Sequence, residues 1–221
     1  MLQKQSWPAM NDRGPLLPLE LDALTELVNI GVSRAAVSLR EMVDQEVVLS
    51  VPSVELVARE RAIQILCESE ARKLVAVHQI FEGDITGRAL LIFPEAKSLE
   101  IVRAVAGAEL SLEDVIDLEH EALAEIGNII LNGCLATIAN MLERSLKMSL
   151  PEVLYGEARH FFNLPPPPDS GDLVLFVYIN FAMQERDIRG YIAMLMDMPS
   201  LEALKILLND FITRTTGEAP A

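Results

Sequence analysis

Residues 22–55 repeat as residues 121–154 at a constant offset of 99, and this duplication constrains the fold more than any other feature of the chain. The offset pairs Ala23 with Ala122, Leu24 with Leu123, Glu26 with Glu125, Asn29 with Asn128 and Ile30 with Ile129. It goes on to pair Met42 with Met141, Ser50 with Ser149 and Pro52 with Pro151, and further along Ser98-Leu99-Glu100 is echoed by Ser200-Leu201-Glu202. A repeat this long in only two copies argues for a duplicated α/β unit, not for a solenoid of many short units. The expectation is one pseudo-two-fold α/β (α+β) domain, with two long helices packed on a shared β-sheet.

Periodicity places the elements. From Glu20 to about Asp44 the residues Leu24, Leu27, Val28, Gly31, Val32, Ala35, Leu39 and Met42 recur on one helical face. EVVLSVPSVELV, split by Pro52, reads as extended chain. Strands are expected at Lys73–Ile80 and Gly87–Phe93, with a turn at Glu82-Gly83-Asp84, and Pro94 opens a helix through Ala106. The second half repeats the plan: a helix over Leu118–Arg144, extended chain around Pro151, strands at Leu173–Phe181 and Ile188–Met196, and a helix from Pro199 through Leu208. FFNLPPPPDSGD, residues 161–172, has no counterpart and reads as a surface loop. The organisation expected is a tail over 1–16, a single domain over 17–214 made of repeats at about 17–110 and 111–214, and a short tail over 215–221.

With 51% apolar residues the chain can bury a full core without metals or disulfides. Cys67 and Cys134, far apart, read as small buried hydrophobes in a reducing compartment. The net charge of −15 disfavours nucleic acid, whose phosphates call for clustered Lys and Arg. MLQKQSWPAMNDRGP has no apolar centre of a secretory signal, and no run approaches the roughly 18 unbroken apolar residues of a membrane span. A cytoplasmic location with no membrane partner is the expectation. His78, His120 and His160 lack metal-ligand spacing, and Met183, Met194, Met196 and Met198 read as core filler.

At about 100° per residue, Asp22, Glu26, Asn29 and Ser33 share one narrow stripe opposite the apolar face. Glu121, Glu125, Asn128 and Asn132 form the same stripe in the second copy. A solvated helix face explains either stripe alone. It does not explain why Glu and Asn recur together at a fixed distance from a proline, because solvent accepts nearly any polar residue.

The pattern resembles the CheC, CheX and FliY family, which is marked by Asp or Ser, three residues, Glu, two residues, Asn, twenty-two residues and Pro. Asp22, Glu26, Asn29 and Pro52 match it fully; Glu121, Glu125, Asn128 and Pro151 match with Glu121 in place of Asp or Ser. The resemblance implies a phosphatase acting on the aspartyl phosphate of a CheY-like response regulator. Asn29 and Asn128 would orient the attacking water, and Glu26 and Glu125 would face the regulator's active-site Lys. Asp22 and Glu121 would lie at the docking edge, with Pro52 and Pro151 shaping the chain after each helix. No cofactor of its own is implied, since Mg²⁺ would come with the regulator. A non-catalytic adaptor for a response regulator or for a CheD-like deamidase stays open as the alternative.

Overall fold

The computed structural model describes residues 16–43, 47–68, 73–106, 112–163, 170–183 and 186–217. Each half contributes the same series of elements. The first runs α1 (Pro18–Val43), β1 (Val47–Ser50), β2 (Val54–Ala58), α2 (Arg59–Glu68), β3 (Leu74–Gly83), β4 (Gly87–Pro94) and α3 (Glu95–Ala106). The second runs α4 (Leu112–Met141), β5 (Leu146–Met148), β6 (Glu152–Gly156), α5 (Ala158–Phe162), β7 (Ser170–Met183), β8 (Arg186–Asp197) and α6 (Met198–Thr216). The duplicated sequence thus becomes a duplicated fold.

All eight strands join one antiparallel sheet in the order β1-β7-β8-β4-β3-β5, with β2 also on β7 and β6 also on β3. The order is a palindrome about the central β4–β8 pair. The short strands cross over between halves: β1 and β2 of the first half pair with β7 of the second, and β5 and β6 of the second pair with β3 of the first. Neither half can complete its part of the sheet alone, so the two form one domain.

The larger core lies between one sheet face and the long helices α1 and α4, joined by residues of α3 and α6. It includes Leu24, Leu27, Val28 and Leu39 of α1, Leu123, Ile126, Ile130 and Leu135 of α4, and Val77 and Phe81 of β3. The helices meet closely at Gly31, where a Cβ would lie 2.8 Å from the Cα of Cys134. On the opposite sheet face, α2 and α5 cover a second core that contains Ile63, Leu66, Phe161, Phe162 and Phe176. α1 begins with a carboxylate turned back on its own start: Glu20 accepts from the Leu17 N–H (2.7 Å) and from Asn209 Nδ2 of α6 (2.9 Å), linking the two halves. α6 is capped at its start by Asp197, which accepts from the Ser200 N–H, and at its end by Gly217 at φ 74.

The structure differs from the sequence expectations at several points. α2 and α5 replace what read as unassigned chain, because each is short and its apolar residues serve only the smaller core. Phe161 and Phe162 are buried in α5 and not part of a surface loop, while 164–169 lie outside the described residues. Cys67 is exposed, although Cys134 is buried and its thiol is pushed up to about 12 by loss of solvent. Met42 is 40% exposed, past the last turn that the sheet covers. Met194 and Met196 are core residues as expected, and the Met183 side chain lies outside the described residues. α6 runs on to Thr216, and residues 1–15 are outside the described residues. The α4 segment Val115–Met141 is long and apolar enough to cross a membrane by length and composition, but its apolar side is packed on the sheet and α1.

Candidate functional site

The two polar stripes fall on the outer sides of α1 and α4. Asp22, Glu26 and Ser33 are exposed and Asn29 is half-buried; Glu121 and Glu125 are exposed, and Asn128 and Asn132 are half-buried. Each Asn therefore sits where the helix turns from solvent toward the sheet, with its Glu one turn earlier and further out. Pro52 and Pro151 separate β1 from β2 and β5 from β6. With no N–H to donate, each proline interrupts strand pairing at the point where the chain steps along its partner strand.

The strand register shows which residues lie opposite each stripe. Val54 pairs with Val177, and its counterpart Val153 pairs with Val77. Val77 and Val177 are therefore equivalent, as are His78 and Tyr178, and Gln79 and Ile179. Gln79 is fully buried on the helix-facing side of β3, alongside Val75, Val77 and Phe81. Its Nε2 donates to the backbone carbonyl of Ser149 (2.9 Å) and to Asn128 Oδ1 (3.2 Å). Asn132 Nδ2 donates to the same Oδ1 at 2.6 Å. Ser149 is held in turn, since Ile80 N–H donates to its Oγ and its own N–H donates to the Ile80 carbonyl.

α4 comes this close to β3 because residue 127 is glycine. A Cβ there would lie 2.4 Å from Val77 Cγ1. α1 carries Val28 at the equivalent position. Among the described residues, the Asn29 side chain has no hydrogen-bond partner comparable to those of Asn128.

On the other face of β3, His78 Nδ1 lies 3.4 Å from Glu152 Oε2. Burial holds its pKa below the ordinary histidine value, with Arg88 acting in the same direction and Glu152 opposing. His120 and His160 are exposed. Among the described residues, no three His, Cys, Asp or Glu side chains converge as a metal site.

Residues 75–161, which span Gln79, the α4 stripe and Pro151, match the family described as chemotaxis phosphatase CheX. The CheY-P phosphatase CheC of Bacillus subtilis is 27% identical over 140 residues, 61% of this chain and 65% of that protein, so the match spans a little under two thirds of the relative. The putative CheY-P phosphatase CheC1 of Halobacterium salinarum is 20% identical over 86% of this chain and 94% of its own length. Over these stretches the chain is similar to CheC and CheX proteins. Its fold is that of Thermotoga maritima FliY, with a TM-score of 0.67 at 18% identity over 89% of this chain and 98% of that one. The FliM middle domain of H. pylori shares it too, with a TM-score of 0.56 at 12% identity over 87% and 99%.

Sequence reading located both stripes, Asn132 among them, but missed Gln79 beneath the second. Gln79 was detectable as the one polar residue on an inward-facing strand position among Val75, Val77 and Phe81.

Proposed function

We propose that this chain hydrolyses the aspartyl phosphate of a CheY-like response regulator, using Asn29 and Asn128 to orient the attacking water. The observation that carries this reading is the recurrence of Glu and Asn on the outer side of both long helices, in a chain whose relatives are named CheY-P phosphatases. The fold is shared with FliY and FliM structures, so the function rests on these residues and not on the architecture.

In the proposed reaction water attacks phosphorus, and the bond from phosphorus to the aspartyl oxygen breaks. Phosphate leaves, and the regulator's carboxylate is regenerated. A loose transition state of this kind responds mainly to positioning and charge, and a neutral amide can hold a water without repelling the phosphoryl oxygens. Glu26 and Glu125 are exposed and free to pair with a cation, in this reading the regulator's active-site Lys. Mg²⁺ belongs to the regulator's own site. Asp22 and Glu121 line the docking edge. The proposed setting is the cytoplasm.

Release of inorganic phosphate from a phosphorylated CheY-like protein, measured with and without the chain, tests the activity. Asn29→Ala with Asn128→Ala is expected to lower the stimulated rate by about 10²-fold or more, with either single variant retaining substantial activity. A chain that binds the phosphorylated regulator without accelerating phosphate release would be an adaptor, and association with a CheD-like deamidase would then be the next measurement.

A further inference from the structure

The hydrogen bonds behind Asn128 run in one direction only. The Ser149 backbone carbonyl can only accept, so the Gln79 group facing it at 2.9 Å must be its NH₂. The same nitrogen also faces the Asn128 side chain, which must therefore present its oxygen inward. Asn132, meeting that oxygen at 2.6 Å, must donate as well. A backbone carbonyl thus sets the orientation of three successive amides, and Asn128 is left with its Nδ2 hydrogens as the outward group.

This arrangement is costly. Gln79 Oε1 and Asn132 Oδ1 are both buried without a hydrogen-bond partner among the described residues. A buried polar atom left without a partner weakens the fold, because it gives up its hydrogen bond to water and gains none in return. The other half avoids the cost, with Ile179 in place of Gln79 and Ser33 in place of Asn132. Packing alone would favour the apolar solution in both halves.

We infer that Gln79, with Asn132, is a positioning residue that locks the Asn128 amide with its N–H donors outward. The second site then offers a donor of fixed direction to an oxygen of its ligand, either the attacking water or the phosphoryl group. Gln79 belongs to the first repeat and Asn128 to the second, so this site is assembled from both halves. The inference rests on the phosphatase reading for its consequence, but not for its geometry.

The test has two arms. In an Asn29→Ala background, which leaves only the second site, Gln79→Met keeps the side chain's shape and removes its donors. Turnover at saturating phosphorylated regulator should fall about tenfold or more, with KM unchanged because Glu125 is untouched. Asn132→Ser, the residue of the other half, should lower turnover in the same way by less. Unchanged turnover, or a raised KM at unchanged turnover, would overturn the assignment. The second arm needs no regulator: hydrogen exchange of the side-chain NH₂ groups of Gln79 and Asn132, followed by NMR in the unaltered chain. Slow exchange supports the lock, and exchange as fast as that of exposed amides refutes it, even if a variant fails to fold. Should the chain accelerate no dephosphorylation at all, the function fails while the exchange result still decides the lock.

Discussion

On α4, Asn128 is gripped from behind by Gln79 and Asn132, whereas on α1 the equivalent positions hold Ile179 and Ser33 and Asn29 is without such partners among the described residues. The two helices carry the same Glu and Asn at the same spacing, and their exposure is nearly the same. They differ in the layer beneath. A glycine at 127 lets α4 sink onto β3, while Val28 occupies that position in α1. Duplication has preserved the outward groups and let their support diverge. A motif can therefore be intact in both halves while the directions of its side chains are fixed to different degrees.

The strongest way to break the comparison is to give the second half the first half's residue at the close approach. In Gly127→Val the new side chain would overlap Val77, and overpacking of this sort costs about 1–3 kcal/mol. We expect the upper end of that range in denaturant melts, because the atoms in the way belong to a buried β-branched side chain. A melt midpoint equal to that of the unaltered chain would show that α4 is not held by this contact.

The outward groups should behave more evenly. Glu26→Lys and Glu125→Lys each place a cation where the proposed regulator Lys docks. Each should weaken binding of phosphorylated regulator at its own site by about tenfold or more. Titration of each variant, in a background lacking the other site's Asn, would show whether both act alike. Equal affinity before and after charge reversal would make these residues ordinary solvent-facing charges.

The smallest effect concerns His78, whose counterpart is Tyr178. Its pKa is lowered by burial, so the unfolded chain takes up a proton before the folded chain does. Stability from this residue is present above the ordinary histidine pKa of about 6.5. It is lost as pH falls below that value toward the lowered one. Glu152, which opposes the shift, moderates the loss. His78→Tyr should therefore gain stability relative to the unaltered chain between about pH 7 and pH 5, read as converging or crossing melting temperatures. A difference that stays constant across this range would remove His78 from the pH response.

Much of the architecture could be read from local pattern. The offset of 99 identifies the duplication, apolar residues at helical spacing mark α1 and α4, and alternation in VAVHQIF puts Gln79 on the same face as Val77 and Phe81. Those periodicities follow from backbone geometry, which acts within a few residues. The short helices α2 and α5 escaped because ten and five residues carry too few apolar positions to establish a period.

Tertiary structure alone decided which half each short strand joins. Alternation tells a strand which face is buried, but its hydrogen-bond partner is chosen by chain segments far away in sequence, so β5 and β6 lie on β3 and β1 and β2 on β7. The support of Asn128 depends on that exchange, because β3 carries Gln79 from one repeat and the segment joining β5 to β6 carries Ser149 from the other. The sequence by itself determined which residues the two helices turn outward. Only the packing of one half into the other determined that one of the two asparagines is held in a single orientation.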